Sequence, residues 1–83
     1  MSAATGAASA LHVVGYPVAI VVIARFVPVV RDRRVRWFVA HQLAVTAIVV
    51  GWLLRGRPAA AAVNAAWRAA AAIWFGSAGR RRA

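Results

Sequence analysis

Three long apolar stretches run along the chain, and short basic stretches separate them. The first is ALHVVGYPVAIVVIARFVPVV, residues 10–30, 21 in all. A helix needs about 20 residues to cross a hydrocarbon core about 30 Å thick. The β-branched residues would suit a strand in water. At this length in lipid, only a helix satisfies its own backbone hydrogen bonds. Pro17 and Pro28 each remove a donor and should bend the helix or mark its ends. Arg25 lies close enough to the basic stretch that follows for its side chain to reach back to lipid headgroups.

The second stretch, WFVAHQLAVTAIVVGWLL, spans residues 37–54, and its 18 residues just suffice to cross. Trp37 and Trp52 sit near its two ends, as interfacial aromatics do. The basic turn Arg55-Gly56-Arg57-Pro58 follows, with Pro58 suited to a first helical position. The third stretch, AAAAVNAAWRAAAAIWFG, spans residues 59–76 and is the least apolar. Alanine is nearly neutral for insertion, and a mid-span Arg68 costs about 2.5–3.5 kcal/mol. Taken alone, this segment would also suit an amphipathic helix lying on the membrane surface.

Charge separates the two cases. If the third stretch crosses, Arg31, Arg33, Arg34, Arg36, Arg80, Arg81 and Arg82 share one side, and Arg55 and Arg57 face them from the other. That asymmetry satisfies the positive-inside rule. If it does not cross, the split loses its preference. The expected fold is therefore all-α and integral to a membrane. It has three transmembrane helices, at about 10–30, 37–54 and 59–76, with the N-terminus outside and the C-terminus inside. Residues 1–9, MSAATGAAS, read as a disordered N-terminus. No Lys or Arg precedes Arg25, so the basic start of a signal peptide is missing. Residues 10–76 form one helical membrane domain, and 77–83 a basic cytoplasmic tail.

Composition strengthens this picture. Of 83 residues, 64% are hydrophobic, more than a soluble domain this small can bury. The net charge of +10 comes from eleven arginines and no lysine. They cluster at the ends of apolar stretches, where they fix orientation and attract anionic lipid headgroups. Asp32, the single acid of the chain, should pair locally with a neighbouring arginine. Basic residues can also attract nucleic acid through its phosphates. No aromatic platform or recognition helix adds specificity, so no specific nucleic-acid partner is expected. Abundant Ala, Val and Arg without Lys suit a GC-rich bacterial genome, hence a multi-pass protein of a bacterial inner membrane.

Candidate chemistry is sparse. The chain has no Cys, Glu or Lys, and its lone Asp lies in a turn. Acid–base pairs, nucleophile triads and phosphate loops are absent, so no enzyme activity and no small-molecule substrate are expected. His12 and His41 would lie roughly 20 Å apart along the membrane normal at about 1.5 Å per residue, so they cannot share one haem. No cofactor or metal is expected. Gly15 and Ala19 form a small-xxx-small pair that permits close helix contact.

The polar residues inside the spans are the candidate site. His41, Gln42 and Thr46 fall within roughly 140° of one another on a helix. Asn64 and Arg68 are four apart and share a face, together with Ala61, Ala65 and Ala72. Val63, Trp67 and Trp74 lie on another stripe, expected to meet lipid. The alanine-lined stripe should then pack inward, carrying Asn64 and Arg68 toward Gln42, Thr46 or His41. Arg68 finds no carboxylate within the spans. An acid on another membrane protein would complete it, which points to a small accessory or assembly subunit of a larger complex.

The layout is also similar to the small three-span phage holins, in topology and size. That resemblance implies self-association into a membrane pore, with His41, Gln42, Thr46, Asn64 and Arg68 lining the lumen.

Overall fold

The computed structural model describes the backbone of residues 3–82 and the side chains of residues 3–79. Four helices account for nearly all of it: α1 (Ala3–Ala24), α2 (Phe26–Arg31), α3 (Val35–Leu54) and α4 (Pro58–Arg82). They form a rod 50 Å long and 20 by 15 Å in section. α3 lies in the middle, antiparallel to both α1 and α4. Ser9 meets Arg55 and His12 meets Ile48 on one side, while Phe38 meets Phe75 and Thr46 meets Arg68 on the other.

The first helix departs from expectation at both ends. Residues 3–9 belong to α1 instead of a disordered segment, in keeping with the high helix propensity of their alanines. At the other end the 10–30 helix is broken at Arg25. Pro28 is the cause: it has no amide hydrogen, and its ring crowds the carbonyl four residues back, that of Ala24. α1 ends at that residue, and a separate turn of helix, α2, resumes at Phe26. Pro17, by contrast, is carried inside α1. Similarly, α4 runs on through the region expected to be tail, as far as Arg82. The side chains of Arg80, Arg81 and Arg82 lie outside the described residues.

Both turns use the same helix-ending geometry. After α3, Gly56 adopts φ +72°, the Gly56 amide donates to the Leu53 carbonyl, and the Arg57 amide to that of Trp52. This pattern satisfies the last orphan carbonyls of the helix. After α2 the pattern repeats, with Arg33 donating to Val30 and Arg34 to Val29, but Arg33 holds the left-handed position at φ +53°.

Two clusters form the core. Ala19, Ala44, Val45 and Ile48 join α1 to α3. Val22, Phe26, Val29, Val30, Ala71 and Phe75 join α1, α2 and α4. At the first seam, a methyl group added to Gly15 would stand 2.9 Å from the Ala44 carbonyl oxygen and 3.0 Å from Ile48. The backbones of α1 and α3 touch there because Gly15 has no side chain.

α1 and α3 are each long and apolar enough to cross a membrane, whereas α4, diluted by alanine, Asn64 and Arg68, does not stand out on hydropathy. The apolar stretches of α1 and α3 are only 22% and 33% buried in the bundle. Val13, Leu43 and Val63 are 72%, 67% and 71% exposed. An apolar belt of this kind is an association surface if it meets water and an ordinary one if it meets lipid.

Candidate functional site: the polar seam between α3 and α4

α3 presents His41 and Gln42 toward α4, and both are buried, at 0% and 9% exposure. The indole nitrogen of Trp67 donates to His41 Nε2 at 2.9 Å. An indole N–H can only donate, so Nε2 accepts and the neutral ring carries its proton on Nδ1. The His41 ring also packs against Phe26, with centroids 5.2 Å apart, and stands edge-on to Trp67. Gln42 donates from its amide nitrogen to the Arg68 carbonyl at 3.5 Å, long for a hydrogen bond. The same nitrogen lies 3.5 Å from His41 Nδ1, where two donors face each other and no bond forms.

Thr46 links the two helices more firmly. Its hydroxyl donates to the Gln42 carbonyl at 2.8 Å and accepts from Arg68 Nε at 3.0 Å. Arg68 itself is exposed at the edge of the seam. Among the described residues, its two terminal amino groups have no hydrogen-bond partner and no carboxylate lies beside it. Asn64 turns back on its own helix, donating to the Ala60 carbonyl at 2.9 Å. His41, Gln42, Thr46 and Arg68 thus converge, and Asn64 stays apart from them.

The inner face of α4 differs from the stripe expected. Ala61, Ala71 and Phe75 are buried, and Trp67 is half-buried within the bundle. Ala65 and Ala72 are exposed. Rotating Trp67 inward buries a large ring and lets its N–H meet His41, which otherwise lacks a donor in an apolar setting. The alanines offer neither gain. Trp74 remains partly exposed but rests on Phe26, with centroids 5.1 Å apart.

His12, by contrast, belongs to the α1–α3 seam and does not meet His41. It reaches the Ile48 carbonyl at 3.2 Å and packs on Trp52, whose indole donates to the Tyr16 hydroxyl at 3.0 Å.

The arginine-rich turn divides into two groups. Arg31 pairs with Asp32 at 3.2 Å, with Arg34 farther off at 4.0 Å. Arg25, Arg31, Arg34 and Arg36 are all exposed. Arg33, expected among the headgroup arginines, also makes contacts within the bundle. Its guanidinium lies 3.9 Å above the Phe75 ring and donates to the Phe75 carbonyl. Phe75 in turn stacks on Phe38 at 4.1 Å with near-parallel rings. A side chain on residue 79 would meet the Arg33 guanidinium at 2.8 Å, so Gly79 opens the path to that carbonyl. The Trp67–His41 and Arg33–Phe75 contacts escaped the sequence reading, since neither pair is close along the chain.

Compared with known protein families, characterised proteins and solved structures, the chain matches none.

Proposed function

We propose that this chain is a non-catalytic integral membrane protein that serves as an accessory or assembly subunit of a larger membrane complex. In this reading it crosses three times, N-terminus outside and C-terminus inside, in a bacterial inner membrane. The exposed apolar belt of α1 and α3 supports insertion. The arginine asymmetry supports the orientation. Packing of α4 along α3 offsets its modest hydropathy, because the Thr46 hydroxyl already solvates part of Arg68.

The observation that carries the reading is Arg68. It is an exposed cation midway along α4, held by one threonine hydroxyl and no acid. A charge left this way at bilayer depth calls for a partner. Ala62, Ala65, Ala69, Ala72 and Gly76 are exposed on the same helix, and small side chains admit a neighbouring helix at close range. A partner helix bearing Asp or Glu fits both features.

The test is native mass spectrometry of the tagged chain, extracted from its own membrane in mild detergent. The expected result is a defined assembly containing a second protein, lost in Arg68→Leu while the variant stays helical. Unchanged assembly in Arg68→Leu would overturn the reading. The burial of His41 and Gln42 inside one protomer weighs against a pore, since a lumen would need them exposed.

A further inference from the structure

Two clefts lie one below the other along the seam between α1–α2 and α3, on the side away from α4. The upper cleft has a volume of about 140 Å³ and is lined by Arg25, Pro28, Val29, Arg34 and Trp37. The break in the helix at Arg25 sets this arginine opposite Arg34. Among the described residues the Arg25 guanidinium has no partner, and Arg34 has only the distant Asp32 carboxylate at 4.0 Å. The lower cleft, about 260 Å³, is floored by Gly15 and Ala44 and walled by Val14, Val18 and Leu43.

The two lie end to end along α3, where Trp37 of the upper cleft and Ala40, Ala44 and Ala47 of the lower fall within roughly 80° of one another. From Trp37 to Ala47 is ten residues, or about 15 Å at 1.5 Å per residue. That equals half of a hydrocarbon core about 30 Å thick, the depth of one leaflet.

We infer that this seam seats one anionic phospholipid, with its phosphate between Arg25 and Arg34 and an acyl chain along the groove below. The inference rests on the membrane reading above and is independent of any accessory role. Charge selects the headgroup: paired guanidinium groups favour a phosphate oxyanion. Trp37 sits at the level of the ester linkages, where indoles concentrate. The groove selects a lipid over free phosphate, because its length and apolar lining match a single chain. A headgroup with additional negative charge gains further from the basic turn.

The experiment is native mass spectrometry of the full chain in detergent with phosphatidylglycerol or phosphatidylcholine added. Alkaline extraction of membranes reports insertion separately. The expected result is one retained phosphatidylglycerol per chain, in preference to phosphatidylcholine. Retention should fall about fivefold in Arg25→Gln and in Arg34→Gln, on the order of one basic residue's attraction to an anionic surface. Arg36→Gln, at the same end but outside the cleft, should leave it unchanged. Ala40→Phe, which fills the groove, should lower retention with both arginines intact, and inorganic phosphate should not displace the lipid. Equal losses in Arg36→Gln and Arg25→Gln would reduce the effect to general attraction and overturn the seat. Displacement by inorganic phosphate, or full retention in Ala40→Phe, would overturn the acyl groove. A chain that resists alkaline extraction yet retains no lipid refutes the seat alone; a chain released by alkali refutes the membrane reading with it.

Discussion

The two hairpins of this molecule share α3 but are held together differently. In the first, α1 and α3 meet through absent side chains: Gly15 against the Ala44 carbonyl, with Ala19 beside it. In the second, α3 and α4 meet through large and polar groups, Trp67 on His41 and Arg68 on Thr46, and Arg33 of the turn before α3 adds its contact over Phe75. Their turns differ in the opposite sense. The small-residue hairpin turns through Arg33, which takes the left-handed position at a cost of roughly 1–2 kcal/mol, while the polar hairpin turns through Gly56, which takes it without steric cost. The difference teaches that close packing needs no polar partner, whereas an alanine-rich helix needs specific bonds to fix its rotation. The strained Arg33 backbone is offset by what its side chain does for α4.

Gly15→Ala should break the contrast most strongly. Its new methyl meets a backbone oxygen that cannot swing aside, so the variant should lose about 1–3 kcal/mol in reversible unfolding in mixed micelles. The loss should appear in the α1–α3 hairpin, as weaker crosslinking between positions 16 and 52. Wild-type stability would show that the seam has slack.

Trp67→Phe comes next. The phenyl ring keeps most of the packing but leaves His41 Nε2 without its donor. A loss of about 1–2 kcal/mol is expected by the same unfolding measurement. His41→Phe in the Trp67→Phe background should then cost little more, because the pair acts as a unit.

The smallest and most discriminating effect concerns Arg33. Arg33→Ala loses the ring and carbonyl contacts and keeps the strained backbone, and should cost about 1 kcal/mol. Arg33→Gly loses the same contacts but relieves the strain, so it should be more stable than Arg33→Ala and close to wild type. If glycine were worse than alanine, the left-handed geometry would not be the source of the cost.

Much of this architecture was legible along the chain. The helices α1 and α3 follow from apolar length, and Gly15 with Ala19 marks a face fit for close helix contact without saying which helix it meets. The meeting of Arg68 with Thr46 follows from their matching depth on antiparallel helices. The rotation of α4 was not legible. A helical wheel gives two stripes, one of alanine and one of tryptophan, and nothing local says which turns inward. His41 decides it, from 26 residues away. The dual use of Arg33 was hidden for the same reason, since Phe75 and Gly79 lie on another helix. The break at Arg25 could be read as a bend from Pro28. Its consequence, an arginine set opposite Arg34, needed the fold.

The most direct test of the account is the sidedness of α4. The chain has no native cysteine, so single cysteines at Ser9, Gly56 and Ser77 can be labelled cleanly. In intact cells, a membrane-impermeant maleimide should react at positions 9 and 56 and spare position 77 until the membrane is opened. That pattern is three crossings with the basic end inside. Positions 56 and 77 labelling alike would lay α4 on the surface and contradict the account.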